Sequence, residues 1–269
     1  MPELPEVETI RNELLLWVAG HRITQVTILD AKLVSGISVE DFRRRLIRQM
    51  IDDIGRRGKY LIFHLASGQS LIMHLRMTGV LLLNLKKADR YARASFQFSN
   101  GVQLVFSDRR RLGVIRLVKD ASDIVGKLGP EPLSKNFTPH VLAQTLSKHR
   151  IPIKAALIDQ SLIAGIGNMY ADEALFAAKI HPLKRANNLL PEQIETLYRS
   201  IREVLGSAIS SKGASVDTYV RPEGELGTAH FSFKVAHRGG KTCSVCGTAI
   251  QRVLVRNRGS YFCPNCQPG

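Results

Sequence analysis

The sequence lacks the features of a membrane-embedded or secreted protein. None of the apolar runs among its 269 residues is long enough to cross a bilayer. Its start carries Glu3, Glu6 and Glu8, whereas a secretory signal has lysine or arginine before an apolar core. Cysteine is absent before Cys243, and internal repeats and low-complexity segments are absent throughout. We therefore expect a water-soluble, cytoplasmic protein with no membrane partner.

Acidic residues are the minority among the charged side chains. Lysine and arginine number 38 against 23 aspartates and glutamates, so the net charge is +15. A positive charge of this size favours polyanionic partners such as DNA or RNA. A generic basic protein that binds ribosomes or other acidic surfaces is the alternative at this point.

The hydrophobic pattern changes near residue 130. Helical spacing over 3–19 and 39–50 accompanies strand patterns before a Gly/Pro-rich link at 128–133, and the pattern after the link is helical as far as the tail. We predict an α+β fold with a mostly β domain over 1–130, a helical domain over 131–235 and a short β-like tail over 236–269. The predicted strands are 23–29, 59–65, 70–75, 94–98 and 102–106, and the later helices are 138–149, 152–158, 168–179 and 191–211.

The tail contains two Cys-x-x-Cys pairs separated by 16 residues. Two such pairs at this spacing hold four thiolates in a tetrahedron around Zn²⁺. Disulfides are disfavoured in the cytoplasm, and a redox Cys-x-x-Cys motif does not explain two copies. The sequence therefore predicts one structural zinc ion bound by Cys243, Cys246, Cys263 and Cys266. It would fix the arginine-bearing hairpin 247–262, a candidate for phosphate contact.

A glycine-rich turn precedes the predicted helix at residue 168. Gly165 and Gly167 allow a ligand to approach the backbone closely, and the helix start presents free N–H groups. Together these features bind phosphate, and Lys154 on the preceding helix is close enough to reach the same anion. A tight turn between two packed helices explains the glycines equally well, although the overall charge favours DNA.

The N-terminus offers an unusual nucleophile. Removal of Met1 would leave Pro2 as a free secondary amine, and an α-amine has a pKa of about 7.7–8.0, well below that of lysine. Glu3 follows directly and Glu6 lies one helical turn away, so Schiff-base chemistry with proton transfer is feasible. Taken alone the segment is weak evidence, because acidic first turns also suit the helix dipole.

Several short motifs follow one another along the whole chain. They are Pro2 to Glu8, Gly55 to Leu61, His74 to Gly79, Asp108 to Gly113, Leu128 to Leu133, Lys154, Asp159-Gln160, Ala164 to Glu173, and the cysteine tail with Arg258. In this order they resemble the formamidopyrimidine-DNA glycosylase family, bacterial enzymes that excise oxidised purines. The resemblance implies an N-terminal β-sandwich with flanking helices, a helix-two-turn-helix domain and a zinc-ribbon hairpin.

The resemblance also implies a catalytic role for each of several residues. Pro2 attacks C1′ of the damaged nucleotide and forms an iminium, while Glu3 handles protons at the sugar and Glu6 supports the pocket. Lys59 lies close to the lesion and its phosphate. Base excision is followed by β,δ-elimination, with Arg258 as a proton donor and with no chemical cofactor.

Duplex DNA containing damaged bases or abasic sites is the partner that the resemblance implies. A glycosylase must extrude its target nucleotide, which requires phosphate clamps and apolar wedges. The resemblance places Lys154, Asn168 and Arg258 on phosphates and Tyr170 against the N-terminal segment. The residues that fill the gap in the duplex are Met77, Arg110 and Leu112.

The chain departs from the family pattern near these residues. Leu112 stands where phenylalanine is usual, Arg109 where proline is common, and Arg76 where glycine is common. Ala236-His237 replaces Tyr-Gly, and Ser260 replaces threonine. Residues 214–230 correspond to the loop that covers the flipped base, and their Gly, Pro and mixed charge are typical of a mobile lid.

Two other functions stay open at this stage. An endonuclease VIII-like enzyme of the same superfamily would prefer oxidised pyrimidines. A non-catalytic zinc-ribbon protein of the same fold would bind DNA without forming a covalent adduct. We expect a monomeric glycosylase for oxidised purines, provided that Met1 is removed.

Overall fold

The computed structural model describes residues 1–85 and 87–269 and divides them into two compact units. The first unit comprises Met1–Lys127 and Ser211–His230, and the second comprises Leu128–Ser210 and Phe231–Gly269. Segment 211–230, which we assigned to the helical domain, thus belongs to the compact unit built around the β-strands. The three-domain division at residues 130 and 235 stays a prediction.

Among its described residues, the first unit contains two four-stranded antiparallel sheets. Their strands are β1 (Ile23–Ile28), β2 (Ile51–Arg57), β3 (Tyr60–Leu65), β4 (Ser70–His74), β5 (Gly79–Leu83), β6 (Ala92–Phe98), β7 (Gln103–Asp108) and β8 (Val114–Val118). Their strand orders are β1-β6-β7-β5 and β2-β3-β4-β8, and one hydrophobic core receives Phe96 and Phe106 from the first sheet and Phe63 from the second. Sheets that share a core in this way form the predicted β-sandwich.

Helix α1 (Leu4–Val18) confirms the helix predicted at the N-terminus. Its apolar face, which includes Val7, Ile10 and Leu14, is buried in the core of the sandwich. The first turn is closed by Glu6, whose Oε2 accepts the backbone N–H of Glu3 at 2.7 Å, as in a capping box. The acidic first turn therefore has a structural role in addition to any chemical one.

Helix α2 (Val39–Leu46) is shorter than the predicted helix over 39–50, which was wrong beyond Leu46. Arg48 is left-handed (φ +72°), and the chain then joins the sandwich, where the carbonyl of Gln49 accepts the N–H of Ile23 at 2.8 Å. Sheet pairing thus replaces the last turn of the predicted helix. A short helix α3 (Ser122–Val125) completes the first unit.

The second unit is helical with a terminal hairpin. The four predicted helices are confirmed within two residues at each end, and the tail forms an antiparallel pair of strands. No helix in the described part of the chain is long and apolar enough to span a membrane. The elements are α4 (Pro139–Ser147), α5 (Ile153–Ile158), α6 (Asn168–Ala177), α7 (Pro191–Ser210), β9 (Gln251–Val255) and β10 (Arg258–Phe262).

Candidate active site and nucleic-acid interface

The predicted nucleophile and its carboxylates lie in a buried N-terminal segment. Pro2, Glu3 and Glu6 are buried, whereas Met1 is exposed. Glu6 uses both carboxylate oxygens: Oε2 accepts from Glu3, and Oε1 accepts the N–H of Ala214 at 2.8 Å. Glu6 therefore joins the start of the chain to segment 211–230, a geometry that suits its predicted role as support for the pocket.

Lys59 lies in the two-residue turn between β2 and β3. Arg56 fixes this turn to helix α1, because its Nε bonds Glu8 Oε2 at 2.5 Å and its Nη1 donates to the carbonyl of Gly58 at 3.0 Å. Gly58 has a φ of +56°, which favours glycine at this position. Only 6% of Lys59 is exposed. These bonds join the turn that carries Lys59 to α1, which starts two residues after Pro2.

His74, to which we assigned no role, lies beside this turn. It pairs with Tyr60 across β3 and β4, and the two rings meet edge to face at 4.5 Å. Its Nδ1 accepts the N–H of Arg76 at 3.0 Å. Burial, followed by the positive charges of Arg76 and Lys59, lowers the pKa of His74 to about 3. The imidazole is therefore neutral at physiological pH and acts as a hydrogen-bond acceptor.

The three predicted gap-filling residues are brought together in the first unit. Met77 and Leu112 are exposed by 43% and 41%, and Arg110 Nη1 lies 3.2 Å from the sulfur of Met77. Asp108, which is fully buried, organises the turn that carries two of them. Its carboxylate accepts the N–H groups of Arg110, Leu112 and Gly113 at 3.1, 2.7 and 2.7 Å and the hydroxyl of Thr78.

The segment predicted to cover a flipped base is held by other parts of the first unit on both sides of residues 215–218. Ala214 is held by Glu6, and Tyr219 is buried in the sandwich core with its hydroxyl donating to the carbonyl of Lys212 at 3.0 Å. Farther along, Arg221 pairs with Glu13 at 2.7 Å, and Trp17 Nε1 donates to Glu223 at 2.8 Å. Residues 215–218 form the stretch between the two anchored ends.

In the second unit, the glycine-rich turn is built around Gln160. Its Oε1 accepts the N–H of Gly165 at 2.9 Å, and its Nε2 donates to the carbonyls of Ile158 and Ile166 at 2.9 and 2.8 Å. Gly165 has a φ of +85°, so the turn requires the glycine. Helix α6 then begins at Asn168, as the phosphate-binding hypothesis requires.

Lys154 lies beneath that helix start. Its side chain is fully buried, its Nζ donates to the carbonyl of Asn168 at 2.9 Å, and it forms an ion pair with Asp172 one turn farther along. Burial raises the pKa of Asp172 to about 7, although the ammonium of Lys154 opposes the shift. Asp172 had no role in the sequence analysis, because its partner is 18 residues away.

Asn168 connects helix α6 to the zinc hairpin. Its Nδ2 donates to the carbonyl of Gly259 at 2.8 Å, next to the exposed Arg258 at the start of β10. The structure thus brings two of the predicted phosphate ligands together. Tyr170 is buried and packs edge-on against Phe233, with ring centroids 5.9 Å apart.

Glu173, which lies in one of the family-like motifs but has no assigned role, holds the chain that leads to the tail. Its carboxylate accepts the N–H groups of Lys234, Val235 and Ala236 at 2.8–3.0 Å. A carboxylate that accepts hydrogen bonds from three successive backbone N–H groups fixes that stretch of backbone. Sequence spacing alone could not show this contact, since the partners lie about 60 residues away.

The four cysteines fit a zinc ion. Their Sγ atoms lie within 4.8 Å of one another, with Cys243 and Cys266 at 4.0 Å and Cys246 and Cys263 at 3.4 Å. Tetrahedral Zn²⁺ with Zn–S bonds of about 2.3 Å needs sulfurs about 3.8 Å apart, whereas a disulfide needs about 2.05 Å. All four positions are filled by protein, so the zinc ion is structural.

Comparison with known proteins agrees with this arrangement. Residues 1–115 match the formamidopyrimidine-DNA glycosylase N-terminal domain, residues 128–220 its H2TH domain, and residues 240–269 a zinc finger found in FPG and IleRS. The formamidopyrimidine-DNA glycosylase of Symbiobacterium thermophilum is 43% identical, with 100% of this chain and 90% of the relative covered. The chain belongs to the formamidopyrimidine-DNA glycosylase family.

Other members of the family show the same relationship. The protein from Chloroflexus aurantiacus is 41% identical, with 99% of this chain and 98% of the relative covered. A mutant of the Lactococcus lactis family member, solved in complex with DNA containing Fapy-dG, is 37% identical, with a TM-score of 0.92 and 100% of both chains covered. The Lactococcus lactis complex with abasic-site DNA gives the same TM-score and identity over 99% of this chain and 100% of that one. These likenesses confirm the predicted fold class.

Proposed function

We propose that this chain is a DNA glycosylase that excises oxidised purines from duplex DNA and then cleaves the strand at the resulting abasic site. The observation that carries the proposal is the buried N-terminal cluster of Pro2, Glu3 and Glu6 in a chain related to glycosylases over its full length. The net charge of +15 supports a polyanionic substrate.

The proposed nucleophile is the secondary amine of Pro2 after removal of Met1. The amine attacks C1′ of the damaged nucleotide, and the bond from C1′ to the base breaks as Glu3 manages protons at the sugar. The amine loses its proton, the C1′–O4′ bond breaks and O4′ takes up a proton from Glu3, which leaves the opened sugar as an iminium of Pro2. Positive charge on that nitrogen acidifies the sugar C–H groups, so the 3′ phosphate and then the 5′ phosphate are eliminated. Lys59 and Arg258 are the proposed proton-transfer groups near these phosphates.

The proposed extrusion of the nucleotide uses both units. Met77, Arg110 and Leu112 occupy the space left in the duplex, with the two apolar side chains as wedges and Arg110 as a hydrogen-bond donor to the orphaned base. Asn168 and Arg258 hold phosphates. Because Lys154 is fully buried beneath α6, we propose that it holds the start of that helix in place and contributes positive charge there from a distance.

The proposed contact with the extruded base is the stretch 215–218, since its neighbours on both sides are anchored. We expect its movement to be confined to those residues, in contrast to a lid that opens along its full length. Tyr170 is the proposed support of the N-terminal segment. We further propose that the enzyme acts as a monomer in the cytoplasm, on chromosomal DNA.

Borohydride trapping tests the proposed function. The intact mass first establishes that Met1 has been removed, and duplexes with 8-oxoguanine, thymine glycol or an undamaged base are then compared. We expect a covalent adduct and strand cleavage with 8-oxoguanine. Preference for thymine glycol would instead support the endonuclease VIII-like function, and binding without any adduct would support the non-catalytic one.

A further inference from the structure

Arg111, in the turn between β7 and β8, has no role assigned by the family resemblance. Arg111 lies between two proposed gap-filling residues, Arg110 and Leu112, and its backbone is left-handed (φ +58°). Such a conformation is unfavourable for a residue with a long side chain, so neighbouring contacts must stabilise it.

Those contacts come from Asp30, 81 residues earlier in the chain. The guanidinium of Arg111 binds its carboxylate with both ends, through Nε to Oδ2 at 2.5 Å and Nη2 to Oδ1 at 2.9 Å. Paired hydrogen bonds of this kind fix direction as well as distance. Arg111 also holds the pKa of Asp30 below its usual range, so the carboxylate stays ionised.

Asp30 is itself fixed to the sandwich. Its N–H donates to the carbonyl of Arg93 at 3.1 Å, and its side chain accepts the N–H of Lys32 at 3.2 Å. The guanidinium of Arg93 in turn donates to the carbonyl of Asp108 at 2.9 Å, immediately before the turn. The carboxylate is therefore a rigid anchor, because only 7% of Asp30 is exposed.

Two carboxylates thus hold the same turn by different groups. Asp108 binds the backbone N–H groups of residues 110, 112 and 113, whereas Asp30 binds the side chain between them. The first interaction closes the loop, and the second fixes the guanidinium of Arg111 on Asp30, although half of that side chain is exposed. Arg110 and Leu112, on either side, are exposed as well.

We propose that Asp30 is a positioning residue for duplex opening, which fixes the turn so that Arg110 and Leu112 enter the space left by the extruded nucleotide. This inference rests on the proposed function. Neutralising Asp30 would release the guanidinium of Arg111 to bind any phosphate and would loosen the turn. Binding to undamaged DNA should then persist or tighten, while extrusion of a stacked base becomes slower.

The test compares Asp30→Asn and Arg111→Met, which remove the same ion pair from opposite sides. Asp30→Glu serves as the conservative rescue, and Asp41→Asn as the matched control, since Asp41 forms an exposed ion pair with Arg44 in the same unit. Single-turnover excision of 8-oxoguanine opposite cytosine and opposite adenine is measured beside cleavage of a preformed abasic site, affinity for undamaged duplex, and thermal melting.

For both ion-pair variants we expect excision of 8-oxoguanine to slow by about tenfold and discrimination between cytosine and adenine to weaken. Cleavage of the preformed abasic site should change by less than about twofold. Asp30→Glu should recover part of the excision rate, and Asp41→Asn should match the wild type.

Two results would overturn the proposal. One is an unchanged rate of excision in both folded variants. The other is an equal reduction in the rates of excision and of abasic-site cleavage that parallels a fall in melting temperature. If Asp30→Asn does not fold, Arg111→Met alone decides, because it retains Asp30. Failure of the proposed function is distinguishable, since the wild-type enzyme itself would then not excise 8-oxoguanine.

Discussion

The two units hold their proposed DNA-contacting arginines in different ways. In the first, Arg110 lies in a turn closed by the buried carboxylate of Asp108, which uses only protein hydrogen bonds. In the second, Arg258 lies on a hairpin whose ends are fixed by four cysteines suited to zinc. A hydrogen-bonded turn survives chelation, whereas a metal-bound hairpin depends on the metal. The units should therefore respond differently to substitution, metal removal and pH.

The largest expected effect concerns the chemistry of the first unit. Pro2→Gly replaces the secondary amine by a primary one and should lower base excision by about 10³-fold or more and abolish trapping. Binding to lesion duplex should be largely retained, because the phosphate contacts proposed for the second unit remain. Single-turnover kinetics and a binding titration measure the two effects.

Pro5→Ala is the matched control for this substitution, because Pro5 lies three residues after Pro2, in the first turn of α1, without a proposed chemical role. It should retain excision. Normal turnover by Pro2→Gly with Met1 removed would contradict the assignment of the nucleophile.

The second unit should show the reverse pattern. Cys243→Ser, or removal of zinc with a chelator, should weaken duplex binding by about 10- to 100-fold, since the hairpin no longer holds its arginines against phosphates. The dependence of log affinity on log salt should also become shallower, by about 0.9 for each phosphate that is no longer neutralised. Val245→Ala, an exposed position in the same loop, is the control. Undiminished affinity would refute the structural role of the metal.

Asp108→Asn tests the hydrogen-bonded turn of the first unit. The amide can accept fewer of the hydrogen bonds that Arg110, Leu112, Gly113 and Thr78 now donate, so we expect the free energy of unfolding to fall by about 2–3 kcal/mol. Denaturant titration measures this loss, and removal of zinc by a chelator should leave the size of the loss unchanged. Asp120→Asn, at an exposed aspartate that caps a short turn, should cost far less. Equal destabilisation by the two substitutions would remove the distinction between them.

His74 gives the smallest expected effect and a distinct pH signature. Its pKa is about 3 in the folded protein, against about 6.5 when unfolded, so the unfolded chain binds the proton between these values. The free energy of unfolding should therefore fall as the pH decreases below 6.5, by about 1–2 kcal/mol between pH 7 and 5. His74→Gln should lack this component, whereas His140→Gln, on helix α4 of the second unit, should retain it. Identical pH profiles for wild type and His74→Gln would contradict the assigned burial.

Local signals in the sequence were sufficient for some of these features. The helices of the second unit, the zinc ligands and the acidic first turn of α1 were predictable because their partners lie within a few residues. Strands β2, β5 and β8 were not predicted. β2 carries Asp52 and Asp53 on its exposed positions and two arginines at its end, so its apolar alternation is weak.

Long-range contacts account for the rest. The bonds from Glu6 to Ala214, from Arg111 to Asp30 and from Asn168 to Gly259 span 208, 81 and 91 residues. Spacing along the chain contains no information about such pairs. The same limit applies to the buried ion pair of Lys154 with Asp172, 18 residues along the chain, and the phosphate role of Lys154 stays a prediction.

The carboxylate of Glu6 has a consequence for timing in the proposed reaction. One oxygen orients the backbone beside the proposed nucleophile and the other orients the backbone next to the base-covering stretch, so the two sites share one rigid group. Under the proposed function, a displacement of Ala214 on capture of a base would change the hydrogen bond available to Glu3, and the reverse would hold equally. Base capture and alignment of the amine would then be coupled, and a wrongly seated base would meet a poorly aligned nucleophile.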